Sequence, residues 1–301
     1  VIPTVSVVIA AYNVEPYIAK AVHSVLAQTF QDFEMIIVDD RSTDGTADAV
    51  RAIRDVRIRL LVNDTNRGPS YSRNRAIRLS RGKWIAMLDG DDWWQENRLQ
   101  HMLSFANELQ ADIVVDDLLL IRDGETKPWS TYLKSRERVI GPIADKTRID
   151  ALKMIRDDYG YLNPIISAKL IKDNGLEYKN GLHYGEDFRF LLECIITAGS
   201  MCICTQPLYY YRFRDNSLTA GNKAAASFQA QLGSVNQLLE KYARRGDIVR
   251  ELRKYRSKKA LNLAEAVIRA DFKKGRLLRP SWAMLQHPLV IKPLLRSLIR
   301  S

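Results

Sequence analysis

Apolar and polar positions follow two rhythms along the first hundred residues. Val5-Ser6-Val7-Val8-Ile9-Ala10 is a short β-branched run that reads as a buried strand, and Ala11-Tyr12-Asn13 ends it. Pro16 suits a first helical turn, and Ile18, Val22, Val25 and Leu26 share one face of the helix that follows. Glu34 to Val38 predict a second strand stopping at Asp39-Asp40. The turn Ser42-Thr43-Asp44-Gly45 can cap the next helix, where Ala47, Val50 and Ile53 recur at helical spacing. Ile58 to Val62 predict a third strand, Asn66-Arg67-Gly68-Pro69 a loop, and Ser70 to Leu79 a helix stopped near Gly82. Trp84 to Leu88 predict a fourth strand, which runs into Asp89-Gly90-Asp91-Asp92.

Strand and helix alternating at this spacing imply right-handed crossovers and an α/β fold, a mostly parallel central sheet with helices on both faces. The strand ends of such a sheet share one edge, where α/β proteins bind ligands. Tyr12-Asn13, Asp39-Asp40 and Asp89-Gly90-Asp91 all fall on that edge. Beyond residue 99 the pattern predicts a helix over Leu99–Leu109 and a strand, or two short ones, over Asp112–Ile121. Arg122 to Asp145 read as a polar loop or hairpin over the site. Leu162 to Ile166 should be extended, Ala168 to Asn174 a short helix stopped by Gly175, and Phe188 to Thr197 a helix preceded by Gly185-Glu186-Asp187. Met201–Ile203 and Leu208–Arg212 are strand-like, and from about Lys223 onward the chain is helical and basic.

Charge divides the chain. Of its 46 Lys and Arg and 35 Asp and Glu, residues 223–301 hold 18 and 5, so the net charge of +11 belongs to that tail alone. Two domain-scale segments result: residues 1–222 and a basic helical region over 223–301. In the tail, Leu238, Leu239, Tyr242, Leu261, Leu263, Val267 and Ile268, then Trp282 to Ile299, form apolar faces between Lys and Arg. Such helices can lie on an anionic membrane surface, drawn by roughly 1 kcal/mol per basic residue, or pack on the rest of the protein. No apolar run reaches the ~18 residues of a membrane span. The opening residues show no secretory signal pattern, and Cys194, Cys202 and Cys204 stand in apolar sequence with no C-x-x-C. The expectation is a cytoplasmic protein with reduced core thiols, peripheral on the inner face of the membrane.

The chemistry centres on Asp89 and Asp91, two apart around Gly90. They can turn oxygen ligands toward one point, and hard cations such as Mg²⁺ or Mn²⁺ take oxygen ligands and bring a phosphate with them. The plain alternative is a solvated acidic turn. Asp40, Ser42, Asp44 and Asp48 imitate the start of an EF-hand loop, but Arg51 stands where the bidentate Glu is required. Neither a G-x-G-x-x-G nor a Walker A loop follows the first strand. The histidines, His23, His101, His183 and His287, are scattered, with His183 beside the Gly185-Glu186-Asp187 acids.

Val7-Val8-Ile9-Ala10-Ala11-Tyr12-Asn13, Ile37-Val38-Asp39-Asp40-Arg41-Ser42-Thr43-Asp44-Gly45, Asn66-Arg67-Gly68 with Ser72-Arg73-Asn74, and Leu88-Asp89-Gly90-Asp91-Asp92 come in the order seen in family 2 glycosyltransferases. The likeness covers about residues 3–215 and is strongest to bacterial exopolysaccharide enzymes of the succinoglycan kind. It includes Gly185-Glu186-Asp187 and Tyr209-Tyr210-Tyr211-Arg212 ahead of Asn216-Ser217-Leu218-Thr219. The resemblance implies a GT-A catalytic domain over 1–222, with a nucleotide-binding half over about 1–98 and an acceptor half over about 99–222, and an inverting, single-displacement transfer from a UDP-sugar, UDP-glucose first. The acceptor it implies is a saccharide on a polyprenyl-diphosphate carrier. It also implies that Asp40 hydrogen-bonds the base, with Tyr12, Ala11, Glu15, Gly68 and Arg73 in the nucleotide pocket. Asp89 and Gly90 would face the ribose or donor sugar, Asp91 with Asp89 would hold Mg²⁺ or Mn²⁺, and Asp187 would be the catalytic base. The pattern departs at Arg41, where the family commonly has Gly.

The residues permit this chemistry on their own terms. A sugar hydroxyl needs a carboxylate to accept its proton, and a departing diphosphate needs a cation. Metal binding lowers a carboxylate's basicity, so two separate acidic groups are required, Asp89/Asp91 and Glu186/Asp187. Glu186 can instead orient the acceptor or form an ion pair, and both acids suit a plain helix N-terminus. Trp93 or Trp94 can offer an aromatic face to an acceptor sugar, or pack in the core. Two rival functions are weaker. A sugar-nucleotide pyrophosphorylase needs a Gly-rich, Arg-bearing loop where Ala10-Ala11-Tyr12-Asn13 stands. A specific nucleic-acid binder needs a recognition module, and the basic tail supplies charge alone.

Overall fold

The computed structural model describes residues 2–160, 162–182, 184–214 and 224–273. The chain forms two compact units, Val1–Arg214 and Asp215–Ser301, a division eight residues ahead of the one that charge suggests. In the first unit, β1 (Val5–Ala11), β2 (Phe33–Asp39), β3 (Ile58–Val62) and β4 (Trp84–Asp89) alternate with helices α1 (Glu15–Leu26), α2 (Thr46–Arg51) and α3 (Pro69–Leu79). These four strands pair in parallel in the order β3-β2-β1-β4. Val5 to Ile9 and Met35 to Val38 are essentially inaccessible, as expected for strands covered on both faces. On α1, Ile18, Ala21, Val22 and Val25 are fully buried, each worth about 1.5–3 kcal/mol by transfer for the larger side chains.

Beyond β4 the sheet becomes mixed. Next come β5 (Trp93–Trp94), α4 (Arg98–Leu109), β6 (Ile113–Arg122), β7 (Ser130–Thr131) and α5 (Tyr132–Ile140). They are followed by β8 (Thr147–Ile149), α6 (Ala151–Asp157), β9 (Ile165–Ser167), α7 (Ala168–Asp173), α8 (Glu186–Ala198) and β10 (Met201–Phe213). Strand β9 runs antiparallel to both β4 and β6, which joins the parallel half to a second half in which β6 and β10 are parallel. Strand β6 is a single ten-residue strand. The two strand-like stretches after residue 200 are also one strand, β10, whose register to β6 shifts around Pro207.

In the stretch expected to be a loop or hairpin over the site, β7 folds back antiparallel on β6 and is followed by the nine-residue helix α5. Thr131 caps α5 by accepting from the Lys134 amide, and the buried Asp117 carboxylate accepts from the Leu133 amide at 2.9 Å. Apart from Tyr132, α5 has no buried residue, so it shows no apolar stripe to read. The second unit contains α9 (Ala224–Lys241) and α10 (Gly246–Lys273). Val235, Leu238, Ile248, Leu252 and Tyr255 are buried there, while Arg244, Arg245, Arg250, Arg253, Lys254, Arg256 and Lys258 are exposed. The apolar stretch Trp282 to Ile299, Asn216-Ser217-Leu218-Thr219, His183 and His287 lie outside the described residues.

Candidate active site

The parallel strands end level with one another. Ala11 pairs with Asp39 across β1–β2, and Ala10 pairs with both Val38 and Asp89, so the chain segments after all three strands emerge side by side. The turns after β1 and β2 then interlock. Asn13 donates its amide to Ser42 Oγ and accepts the Thr43 amide on Oδ1; Glu15 gives its amide to Asp44 and takes the Gly45 amide on Oε2 at 2.9 Å. Glu15, expected in the nucleotide pocket, thus serves this clasp. Tyr12 stands beside it with 47 % of its surface exposed, a ring with a free face. Arg41 adopts φ +62°, which explains why a glycine suits that turn.

Asp40 has work inside the protein. Its buried carboxylate accepts from Asn63 Nδ2 at 2.6 Å, the Arg67 amide at 2.9 Å and the Gly68 amide at 2.7 Å. Through these bonds Asp40 holds the 66–68 loop ahead of α3. Gly68 meets it with φ +85°, a conformation that a side chain would strain. Gly90 is likewise a packing glycine, because a Cβ there would lie 3.1 Å from Val14 Cγ2. Ala11 is buried and contributes its carbonyl, which accepts the Asp40 amide.

The acids that matter most are gathered by Arg73, on α3. Its Nη2 lies 2.8 Å from Asp89, and its Nη1 lies 3.2 Å from both Glu186 and Asp187. One largely buried guanidinium therefore joins the end of β4 to the start of α8. Glu186 is buried against it, while Asp187 keeps 39 % of its side chain open. Burial of the carboxyl pushes Asp187 up to about 8; Arg73 opposes the rise, and Glu186 and Asp89 add to it. A carboxyl so poised suits proton transfer near neutral pH.

Asp91 is raised chiefly by burial, against the pull of Arg214, whose Nη2 lies 2.5 Å away. Asp92 is buried, takes the Tyr209 hydroxyl and the Arg212 amide at 2.8 Å each, and is pushed well above the carboxylate range by burial and by Asp91 and Asp89. Tyr209 also accepts the Asp89 amide, so it pins the acidic turn from beneath. Among the described residues no group of three His, Cys, Asp or Glu forms a metal cage. Mg²⁺ and Mn²⁺ ordinarily take one or two carboxylates and complete their shell with phosphate oxygens and water, so the donor chemistry of Asp89 and Asp91 fits. Arg214 is then the group a cation must share Asp91 with.

Of the two readings of the tryptophans, core packing is the one the structure bears out. Trp93 stacks on Tyr210 at 4.6 Å, with Lys20 Nζ 3.3 Å and Arg212 4.7 Å from its ring centre. Trp94 is buried against Arg98. Both pair with β10 in the sheet, and protein groups cover their rings. Two contributors escaped the sequence reading: Arg214 on Asp91 and Asn163 with Nδ2 3.5 Å from Asp89. Asn163 stood within a predicted extended segment, and nothing local marked it. Cys194, Cys202 and Cys204 are buried free thiols, as expected.

A parallel half whose strand ends present an acidic turn, joined to a mixed half that brings a second acidic pair to it, is the GT-A architecture of glycosyltransferases. The sequence profile of glycosyl transferase family 2 matches residues 6–160, and the chain belongs to that family. It is 33 % identical over 221 residues to the succinoglycan biosynthesis protein ExoO of Rhizobium meliloti (strain 1021), covering 72 % of this chain and 63 % of ExoO. It is 41 % identical over 101 residues to the UDP-Glc:alpha-D-GlcNAc-diphosphoundecaprenol beta-1,3-glucosyltransferase WfaP of Escherichia coli, covering 34 % and 40 %. The chain thus spans less than two thirds of the length of these relatives. Among solved structures, S. aureus TarS 1–349 with UDP-GlcNAc superposes with TM-score 0.65 at 22 % identity, over 89 % of this chain and 72 % of TarS. The mannosyltransferase PcManGT of Pyrobaculum calidifontis with GDP-Man and Mn²⁺ gives 0.60 at 16 %, over 97 % and 82 %.

Proposed function

We propose that this chain is an inverting glycosyltransferase that moves a sugar from a UDP-sugar to a hydroxyl of a saccharide carried on a polyprenyl diphosphate, in exopolysaccharide assembly. The observation that carries the proposal is the convergence of Asp89, Glu186 and Asp187 on Arg73 at the binding edge of the sheet. Asp187, partly open and with a raised proton affinity, takes the proton of the attacking hydroxyl. Attack and departure occur in one displacement, which inverts the anomeric carbon. Asp91 with Asp89 would hold Mg²⁺ or Mn²⁺, which when bound would supply Lewis-acid stabilisation of the departing diphosphate. Tyr12 offers its exposed ring to the base, and Glu186 forms the ion pair with Arg73.

The UDP and lipid-diphosphate parts of the reading draw on the relatives: TarS is seen with UDP-GlcNAc, and WfaP is named for UDP-glucose and a diphosphoundecaprenol acceptor. A lipid-borne acceptor calls for work at a membrane surface, on the inner face where nucleotide sugars are made. Among the described residues no helix is long and apolar enough to cross a membrane. The exposed Arg and Lys side chains between Arg244 and Lys258 supply the positive charge that would hold the chain to anionic lipid. Sequence-specific nucleic-acid binding is not part of the proposal.

The test is nucleotide release from UDP-glucose, UDP-galactose, UDP-N-acetylglucosamine and GDP-mannose, with Mg²⁺, Mn²⁺ or EDTA. UDP-glucose with either cation should be turned over fastest, and Asp91→Asn and Asp187→Asn should each abolish turnover. Preference for GDP-mannose would overturn the donor class, and full activity in Asp187→Asn would overturn the base.

A further inference from the structure

Strand β10 sends its side chains alternately to two faces, so Tyr209, Tyr211 and Phe213 share one of them. No register shift falls between Tyr209 and Phe213, which pair in step with Leu118 to Arg122 of β6. Tyr209 is fully buried at the acidic turn, where its hydroxyl donates to Asp92 and accepts the Asp89 amide. Tyr211 is half-buried, and Phe213 is 45 % exposed, so this face opens as it leaves the turn. It also stays close to the chemistry, because both chain neighbours of Phe213 touch Asp91. Arg212 Nε donates to the Asp91 carbonyl at 2.9 Å, and Arg214 pairs with its carboxylate.

Phe213 does not stand alone. The ring of Trp129, a residue 47 % exposed, lies 6.0 Å from it at 56°, and Tyr211 meets it edge-on at 5.1 Å and 70°. The backbone under both exposed rings is fixed. The Trp129 amide donates to the Leu120 carbonyl, and the Phe213 carbonyl accepts the Asp123 amide, each at 2.9 Å. Arg122 lies 5.7 Å from the Trp129 ring and pairs with Glu125. The turn between Arg122 and Trp129 adds exposed Asp123 and Lys127, so the rim is polar and its charges balance. Among the described residues the exposed aromatic side chains are Tyr12, Trp129 and Phe213, and Tyr12 stands at the nucleotide end.

We propose that Trp129 and Phe213 form a subsite for the acceptor saccharide, holding a sugar residue behind the one whose hydroxyl attacks. The proposal rests on the reading of the chain as a glycosyltransferase. A pyranose ring has an apolar C–H face and a polar hydroxyl edge, and a half-exposed aromatic pair inside a polar rim matches both. Four residues of strand separate Phe213 from Tyr209, about 13 Å, which is more than one sugar ring spans. With the backbone set before the saccharide arrives, little ordering cost is left to binding. A membrane is the poorer occupant. The balanced rim offers anionic lipid no net attraction, and Trp129 and Phe213 each keep more than half of their surface buried in the protein.

The experiment measures saccharide binding to the full chain by calorimetry. The probes are cellotriose, laminaritriose and triacetylchitotriose, each beside the methyl β-glycoside of its own sugar. At least one trisaccharide should bind the parent about tenfold tighter than its methyl glycoside. Trp129→Ala and Phe213→Ala should each raise that Kd about 5- to 10-fold, with melting temperatures close to that of the parent. Trp129→Phe keeps a ring and should retain most of the affinity. Trisaccharides that bind no better than the methyl glycosides overturn the subsite, as do Ala variants that bind them as the parent does. Phosphatidylglycerol vesicles test the rival occupant: weaker vesicle binding by the Ala variants, with trisaccharide binding unchanged, assigns the patch to the membrane and overturns the proposal. Nucleotide release by the parent from UDP-glucose, UDP-galactose and UDP-N-acetylglucosamine separates the two levels. Where the parent turns over a UDP-sugar and the Ala variants bind trisaccharide unimpaired, the subsite alone fails; where it turns over none, the glycosyltransferase reading itself fails.

Discussion

The Arg73 guanidinium lies 3.2 Å from the Asp187 carboxylate, and through it the parallel half of the sheet is tied to the helix that carries the proposed base. Its side chain is 10 % exposed and also serves Asp89 and Glu186. Truncation to Ala would leave three carboxylates crowded without a counterion. Removing one member of such a buried set costs about 3–5 kcal/mol. Arg73→Ala should therefore melt well below the parent at pH 7.5, and the deficit should shrink as pH falls and the acids protonate. Arg73→Lys should recover little, because a point charge cannot reach three partners as a planar fork does. Thermal melts of the three proteins from pH 5 to pH 8 check this; an Arg73→Ala deficit that does not vary with pH would argue against the electrostatic account.

Asp187 makes the pH dependence explicit. Its folded-state value is pushed up to about 8, whereas an unfolded Asp releases its proton near 3.9. Between those values the folded chain holds more protons than the unfolded one, so this group's contribution to stability falls as pH rises. Asp187→Asn removes that penalty. Its melting temperature relative to the parent should climb from pH 5 to pH 8, by an amount tempered by the open edge of the side chain. Activity runs the other way. The base works only when ionised, so kcat/KM should rise with unit slope as pH approaches 8, and that limb should be absent from any residual activity of Asp187→Asn. A rate flat from pH 5.5 to pH 8 would contradict the assignment.

The parallel half was legible because its signals are local. Short β-branched runs ended by polar clusters predict β1 to β4, and the parallel register alone then brings Ala11, Asp39 and Asp89 to one edge. What escaped depended on partners far away in sequence. Helix α5 is held by Asp117 and a Thr131 cap in place of an apolar stripe, and β10 reads as two pieces because Gln206-Pro207 interrupts its apolar run. Adjacent acids such as Asp39 and Asp40 look alike in sequence; only the structure shows that Asp39 takes the Ser42 donors and Asp40 those of Asn63, Arg67 and Gly68. For Trp93 and Trp94 a sugar platform and core packing both stood open, because nothing local reveals that Tyr210, Lys20 and Arg98 cover their rings.

Arg41 isolates a backbone effect from the chemistry beside it. At φ +62° an L side chain is held where its Cβ crowds the following carbonyl, at a cost of about 1–2 kcal/mol. Glycine avoids that strain but gives the unfolded chain more freedom, which returns about 0.5–1 kcal/mol. Arg41→Gly should therefore stabilise the protein by about 0.5–1 kcal/mol, seen as a higher urea midpoint at unchanged slope. The side chain is exposed, so few packing contacts are lost with it. A lower midpoint would show that the Arg41 side chain makes a compensating contact.

Arg98 and Asp116 form a fully inaccessible ion pair, with Nε and Nη2 lying 2.7–3.1 Å from the carboxylate oxygens. Arg98 also donates to the Asn163 carbonyl at 2.9 Å, and Asn163 Nδ2 points back toward Asp89. Its Nη1 has no hydrogen-bond partner, so the guanidinium is incompletely satisfied, although its plane lies over Trp94 at 4.5 Å and Tyr209 at 5.1 Å. Two charges removed from water recover their desolvation cost only when every donor and acceptor is met. Arg98→Met should cost about 3–5 kcal/mol, because the Asp116 carboxylate stays buried without its partner, and Asp116→Leu should cost about as much. The double variant should be far less destabilised than the sum, and a coupling of about 2 kcal/mol or more is expected from the cycle. The specific geometry of Asn163 is not restored by apolar filling, however. The double variant should fold and still turn over its donor more slowly than the parent, with additive losses in the cycle being the result that rules the coupling out.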